Sequence, residues 1–171
     1  IRAEDVVVGA GAKPFIAYAI LSVTDHGGGD EVIYPNPGFP IYESAIRWVG
    51  ATPVALPLHE ERDFVFDPAE LEARLGPRTK LVILNSPQNP TGGILPESVL
   101  RGIGRLAVEH DLWLICDEVY EDVWFGAAPP VSAFTLPEFQ GRTITTHSIS
   151  KAYGLAGSRV GYTHGPREVM E

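Results

Sequence analysis

Short runs of uninterrupted apolar residues alternate along this chain with polar segments and with stretches whose apolar positions recur at helical spacing. Leu81-Val82-Ile83-Leu84 and Leu112-Trp113-Leu114-Ile115-Cys116 are apolar throughout rather than alternating, which predicts strands buried on both faces of a parallel sheet. Between them Val99, Leu100, Ile103, Leu106 and Ala107 repeat at helical spacing behind Glu97 and Ser98, predicting an amphipathic crossover helix. The same reading predicts a helix after Pro14, a strand near 32–34, a helix over 41–48, a strand near 53–57 and a short helix after Asp67-Pro68. Farther on it predicts a strand near 143–147 and a last strand at Val160-Gly161-Tyr162-Thr163. Such alternation implies an α/β fold, a mostly parallel sheet flanked by helices on both faces in three layers.

Three polar segments start where a predicted strand stops: Asn85 to Gly93, Asp117 to Asp122 and Ser148 to Arg159. In open α/β sheets the carboxyl ends of strands are where ligands bind, so the three segments are expected to share one site. The last of them, Ser148-Ile149-Ser150-Lys151-Ala152-Tyr153-Gly154, seats a lysine among hydroxyls and glycine, with Arg159 eight residues on. A lysine amine reacts when its ammonium is partly desolvated or lies beside another cation, and its usual use is a Schiff base with a carbonyl cofactor. Taken singly, these residues also suit plainer work: Lys151 as a solvated cation, Asp117 as a helix cap, Asn89-Pro90 as a turn, Phe39 as a core ring and Tyr120 as a surface tyrosine.

Taken together, Asn89-Pro90-Thr91-Gly92, Asp117-Glu118-Val119-Tyr120, Ser148-x-x-Lys151 with Arg159, Gly29-Asp30-Glu31-Val32 and Pro37-Gly38-Phe39-Pro40-Ile41-Tyr42 resemble the class I/II aminotransferases of pyridoxal phosphate (PLP) fold type I, the aspartate aminotransferase group above all. The resemblance runs in order over nearly the whole chain. It implies that Lys151 bonds PLP covalently and shuttles the substrate's proton, while Asp117 pairs with the pyridine nitrogen. It further implies that Asn89 and Tyr120 donate to the phenolic oxygen, that Ser148, Arg159 and the Gly11-Ala12-Lys13 loop hold the phosphate, and that Phe39 stacks on the ring. The reaction implied is transfer of an amino group from an amino acid to a 2-oxo acid. A Cβ lyase or decarboxylase on the same fold, or a truncated PLP-binding domain without turnover, are the alternatives.

The resemblance implies that residues 1–171 are most of the large, cofactor-binding domain, without the N-terminal arm, the small domain with its substrate arginine or the tyrosine lent by the second subunit of a homodimer. Ser158 stands where the family commonly has tryptophan.

Other chemistries fit less well. Gly9-Ala10-Gly11-Ala12-Lys13-Pro14 begins as a dinucleotide fingerprint but carries Pro14 at the third glycine. His26-Gly27-Gly28-Gly29 spells an esterase oxyanion loop, yet no Gly-x-Ser-x-Gly elbow accompanies it, so a turn is expected there. Asp117, Glu118, Glu121 and Asp122 have no histidine beside them in sequence and read as solvated carboxylates on a helix start rather than a metal site.

A net charge of −9 argues against nucleic-acid and anionic-membrane partners, although a pocket for one phosphate needs only two or three cations. No apolar run approaches the roughly 18 residues that span a bilayer. The single cysteine, Cys116, lies in an apolar strand and reads as a packed core thiol, consistent with a reducing, cytoplasmic setting.

Overall fold

The apolar runs become the centre of one sheet. A computed structural model describes all residues 1–171, with the elements β1 (Val6–Gly9), α1 (Lys13–Val23), β2 (Glu31–Asn36), α2 (Ile41–Trp48), β3 (Thr52–Pro57), α3 (Pro68–Glu72), β4 (Thr79–Asn85), α4 (Glu97–Glu109), β5 (Trp113–Asp117), β6 (Thr143–Ser148), α5 (Ile149–Ala152), β7 (Gly161–His164) and α6 (Arg167–Met170). The sheet has seven strands in the order β1-β7-β6-β5-β4-β2-β3. β2, β3, β4, β5 and β6 run parallel, and β7 runs antiparallel to both of its neighbours.

Two layers of helix cover the sheet, as the alternation predicts. Ile16, Ile20, Tyr42 and Ile46 from α1 and α2 pack on one face against Val32, Leu81, Ile83, Ile115 and Ile144. Leu71, Leu100, Ile103 and Leu106 from α3 and α4 pack on the other against Val82, Leu84, Leu114 and Cys116, with Phe139 closing the edge. The strands thus bury alternate residues on opposite faces, which is why they read as unbroken apolar runs. Cys116 is a buried free thiol whose ionisation burial pushes well up. Ile103 is fully enclosed, so Ile103→Ala is expected to cost about 2–5 kcal/mol in a urea melt of the chain; a loss under about 1 kcal/mol would mean that this face repacks freely.

α3 starts where Asp67 accepts from the Ala69 amide and Glu70 reaches back to the Asp67 amide, a reciprocal cap that lets five residues form a helix. Three features depart from the sequence reading. Val6-Val7-Val8-Gly9 forms an edge strand that its short length did not announce. β1 and β7 add antiparallel pairing, which periodicity cannot reveal. No helix follows Asp117: the chain makes successive turns over 118–122, and no regular element forms until the short 3-10 turn at Ala133–Thr135. None of the helices is long and apolar enough to cross a membrane.

Candidate active site

Asn85, Asp117 and Ser148 are the last residues of β4, β5 and β6, three neighbours in the sheet. Asn85 and Asp117 stand in register. The segments that follow these strands meet α1 around a cavity of about 300 Å³, which Ala12, Lys13, Phe39, Asn89, Asp117, Tyr120, Ser148, Lys151 and Arg159 all line. Of the residues singled out in the sequence, only Gly11 is not on the wall. It lies directly behind it, at φ +85°, where a Cβ would fall on the Arg159 guanidinium. The left-handed backbone favours glycine there, and any side chain would have to push the guanidinium aside.

The cavity has one acid and three cations. Asp117 is buried, accepting from the Tyr42 hydroxyl at 2.7 Å and from the Val119 amide at 3.2 Å. Burial raises its carboxyl above the ordinary value, and the Tyr42 and Val119 hydrogen bonds work against that rise. Lys13, Lys151 and Arg159 take part in none of the chain's ion pairs. Lys13 Nζ stands 5.6 Å from the centre of the Phe39 ring, and Lys151 Nζ stands 6.0 Å from that of Tyr120. Arg159 is held in the left-handed region at φ 51° and donates to the Ala156 carbonyl at 3.0 Å.

At the anionic end of such a site, donors matter more than shape. α1 begins at Lys13 with Ala12 as its cap, and no side chain satisfies the first-turn amides. Those amides and the helix dipole favour an anion at this point. Ser148 caps α5 by accepting from the Ser150 amide at 3.1 Å and donates to the Val160 carbonyl at 3.3 Å.

Structure gives roles to two lining residues, Tyr42 and Asn85, that stood in the sequence segments without one. Tyr42 is fully buried, and Phe39 meets it edge-on, with centroids 5.8 Å apart. Phe39 lies just before α2 and Tyr42 in its first turn, so the two rings flank the helix start. Asn85 donates to the carbonyls of Pro87 at 3.1 Å and Asp117 at 2.8 Å and accepts from the Asn89 amide at 2.8 Å, bracing the first two segments together. Its place at a strand end level with Asp117 was the available clue.

Two expectations need correction. Lys151 is exposed rather than partly desolvated, because α5 is a single turn at the cavity mouth with exposed Tyr153 and Leu155 beyond it. The acidic cluster does have a histidine beside it: β6 carries His147 to within 2.7 Å of Glu121, and ligand atoms of Glu118, Glu121 and His147 lie within 4.8 Å of one another. Glu118 meanwhile accepts from Ser132 at 2.7 Å and from the Ala133 amide at 2.9 Å, so these carboxylates are braced rather than simply solvated.

The model of the family described as aminotransferase class I and II matches residues 1–171. The chain belongs to this family. Among aminotransferases of known sequence, an aspartate/prephenate aminotransferase of Thermus thermophilus is 36% identical over 168 residues, covering 98% of this chain and 42% of that protein. An arginine–pyruvate transaminase of Pseudomonas aeruginosa is 39% identical over 166 residues, covering 97% of this chain and 42% of the other. The solved structure of Thermus thermophilus aspartate aminotransferase with maleate superposes with a TM-score of 0.93 at 35% identity, covering 99% of this chain and 43% of that one. The chain thus spans about two fifths of the length of the aminotransferases it matches, and its fold is that of their large domain.

Proposed function

We propose that this aminotransferase chain binds PLP in the cavity and that the protein carrying it, as a homodimer, moves an amino group between an amino acid and a 2-oxo acid. The observation that supports this best is the meeting of Lys151, Asp117 and Arg159 around one cavity. An amine, a buried acid and a guanidinium suit, in turn, an aldehyde, a protonated ring nitrogen and a phosphate. The fit extends to the glycine at position 11, since any side chain there would displace the guanidinium from the anion's place.

When bound, PLP supplies the electron sink that stabilises charge at the substrate's Cα. The chain's residues supply the rest. Lys151 Nζ would anchor the cofactor and would serve as the base that takes the substrate's Cα proton and returns it. Asp117 holds a proton on the ring nitrogen, and the Tyr42 hydroxyl keeps the carboxylate charged against its burial. Asn89 and Tyr120 would donate to the phenolic oxygen, Phe39 would cover a ring face, and Ser148, Arg159 and the open amides of Ala12 and Lys13 would hold the phosphate, the Gly11 amide being donated to the Gly9 carbonyl.

The test is an absorbance titration of the chain with PLP, then borohydride reduction and peptide mapping. The expected result is a visible band that borohydride bleaches, with the reduced cofactor mapped to Lys151; no band would overturn the cofactor assignment for this chain. Amino-acid-dependent formation of pyridoxamine phosphate then separates transamination from lyase or decarboxylase chemistry. The exposure of Lys151 favours a second reading for the chain by itself, cofactor capture without turnover, and capture without any half-reaction would support it.

A further inference from the structure

One buried cluster has no part in the chemistry above. Successive strand residues point to opposite faces, so His147 faces away from Ser148, beneath the turns that follow β5. It is 6% exposed. Its ring stacks on Tyr162, with centroids 4.8 Å apart and planes 14° from parallel, and on His164 at 5.2 Å and 20°. His164 in turn meets the Phe134 ring edge-on at 4.5 Å. His147 Nδ1 lies 2.7 Å from Glu121 Oε1, and its Nε2 lies 3.1 Å from His164 Nε2.

A carboxylate only accepts, so the Glu121–His147 bond is donated by His147 Nδ1–H, and a single proton bridges the two Nε2 atoms. His164 Nδ1 is buried with no partner. Burial lowers His164 to about 4, which keeps it neutral.

The bond from His147 to Glu121 matters because of what flanks each end. Glu118 is anchored by its amide on the Thr146 carbonyl at 3.0 Å and by Ser132 and Ala133. Beyond it the backbone around Tyr120 and Glu121 makes turn bonds, from the Glu121 amide to the Glu118 carbonyl at 3.0 Å and from the Val123 amide to the Tyr120 carbonyl at 2.8 Å. His147 precedes Ser148, the cap of the helix that carries Lys151. Past the Glu118 anchor, this side-chain bond ties the turn presenting Tyr120 to the strand that leads into the Lys151 helix. We propose that His147, acting through Glu121, is a positioning residue that fixes the Tyr120 phenol relative to Lys151. This rests on the PLP reading only for its functional consequence: a displaced Tyr120 would no longer tune the basicity of the nitrogen that Lys151 contributes. The charged and titratable groups around His147 are Glu118, Glu121, Tyr162 and His164, with Asp117 close enough to feel its charge and Asp122 acting on Tyr162.

The experiment compares His147→Phe, which keeps the ring stack and removes the donor, with Glu121→Ala and Glu121→Gln, the last retaining an acceptor. In the cofactor-free chain, the NMR signals of the Tyr120 ring are expected to shift and broaden in His147→Phe and Glu121→Ala and to stay near the parent's in Glu121→Gln. In the PLP-loaded chain, the pH midpoint of the visible band is expected to move by about half a unit to one unit in the first two variants, with PLP affinity changed less than about threefold. Loss of stability alone would leave that midpoint where it was. Unchanged Tyr120 signals and an unchanged midpoint in folded Glu121→Ala overturn the proposal, and this variant serves if His147→Phe does not fold. Absence of PLP capture by the parent chain overturns the cofactor assignment instead, while the cofactor-free NMR comparison still decides the role of His147.

Discussion

Replacing Lys151 with alanine is expected to abolish covalent capture of PLP while leaving noncovalent binding. The phosphate grip, the buried acid and the Phe39 face do not depend on that amine, so affinity should weaken without vanishing. If capture requires an amine on the α5 side of the cavity, Lys13 cannot replace it, because it lies across the cavity over the Phe39 ring. Mass mapping after borohydride reduction checks this: an adduct on Lys13 in the variant, or an undiminished adduct in total, would remove Lys151 from its role. With the amine gone, transfer of the substrate's Cα proton should slow by about 10²–10⁴-fold, the usual share of a placed general base.

Asp117→Asn is expected to act in opposite directions on rate and on stability. The amide still fits beside Tyr42 but cannot hold a proton on a ring nitrogen, so the half-reaction should fall by about 10²–10³-fold. The cofactor-free fold should gain. Burial raises the Asp117 carboxyl above its unfolded value of 3.8, so the proton binds more tightly in the folded state. Its contribution to folding is therefore full below the unfolded value and is lost as pH rises through the folded one. At neutral pH the buried charge weighs against folding, and removing it should raise the melting temperature, with the difference vanishing as pH falls toward about 4. Calorimetry of both chains at neutral and acid pH decides it. A variant that melts lower at neutral pH would mean that Tyr42 and Val119 repay the whole cost of burying the charge.

Much of this arrangement was legible in the residues because it depends on local pattern. Strands β4 and β5 announced themselves as apolar runs, α4 by its helical repeat and α3 by Asp67-Pro68, and the three polar segments do begin on the last residues of three adjacent strands. What escaped depends on pairing across long separations. Val6-Val7-Val8 becomes a strand only because β7 lies beside it in reverse. Asp117 resembled a helix cap because its carboxylate does accept from the amide two residues on, but no regular helix follows. Tyr42 and Asp117 are 75 positions apart, and His147 and Glu121 are 26 apart, so neither bond leaves a trace in spacing. The exposure of Lys151 was hidden for a different reason: a Ser/Gly-rich context describes how a lysine is presented, not what covers it.

The wall of the cavity is drawn from Ala12 near one end of the chain to Arg159 near the other, with β4, β5 and β6 between. No partly folded form that lacks any one of these pieces can recognise the ligand, so occupancy and global folding are a single equilibrium. A ligand held at 100 times its dissociation constant would add about 2.7 kcal/mol to the unfolding free energy of the entire sheet. Amides far from the cavity, in β2 or α4, should then exchange their hydrogens more slowly on binding by the same factor as those in the wall, wherever their exchange requires global unfolding.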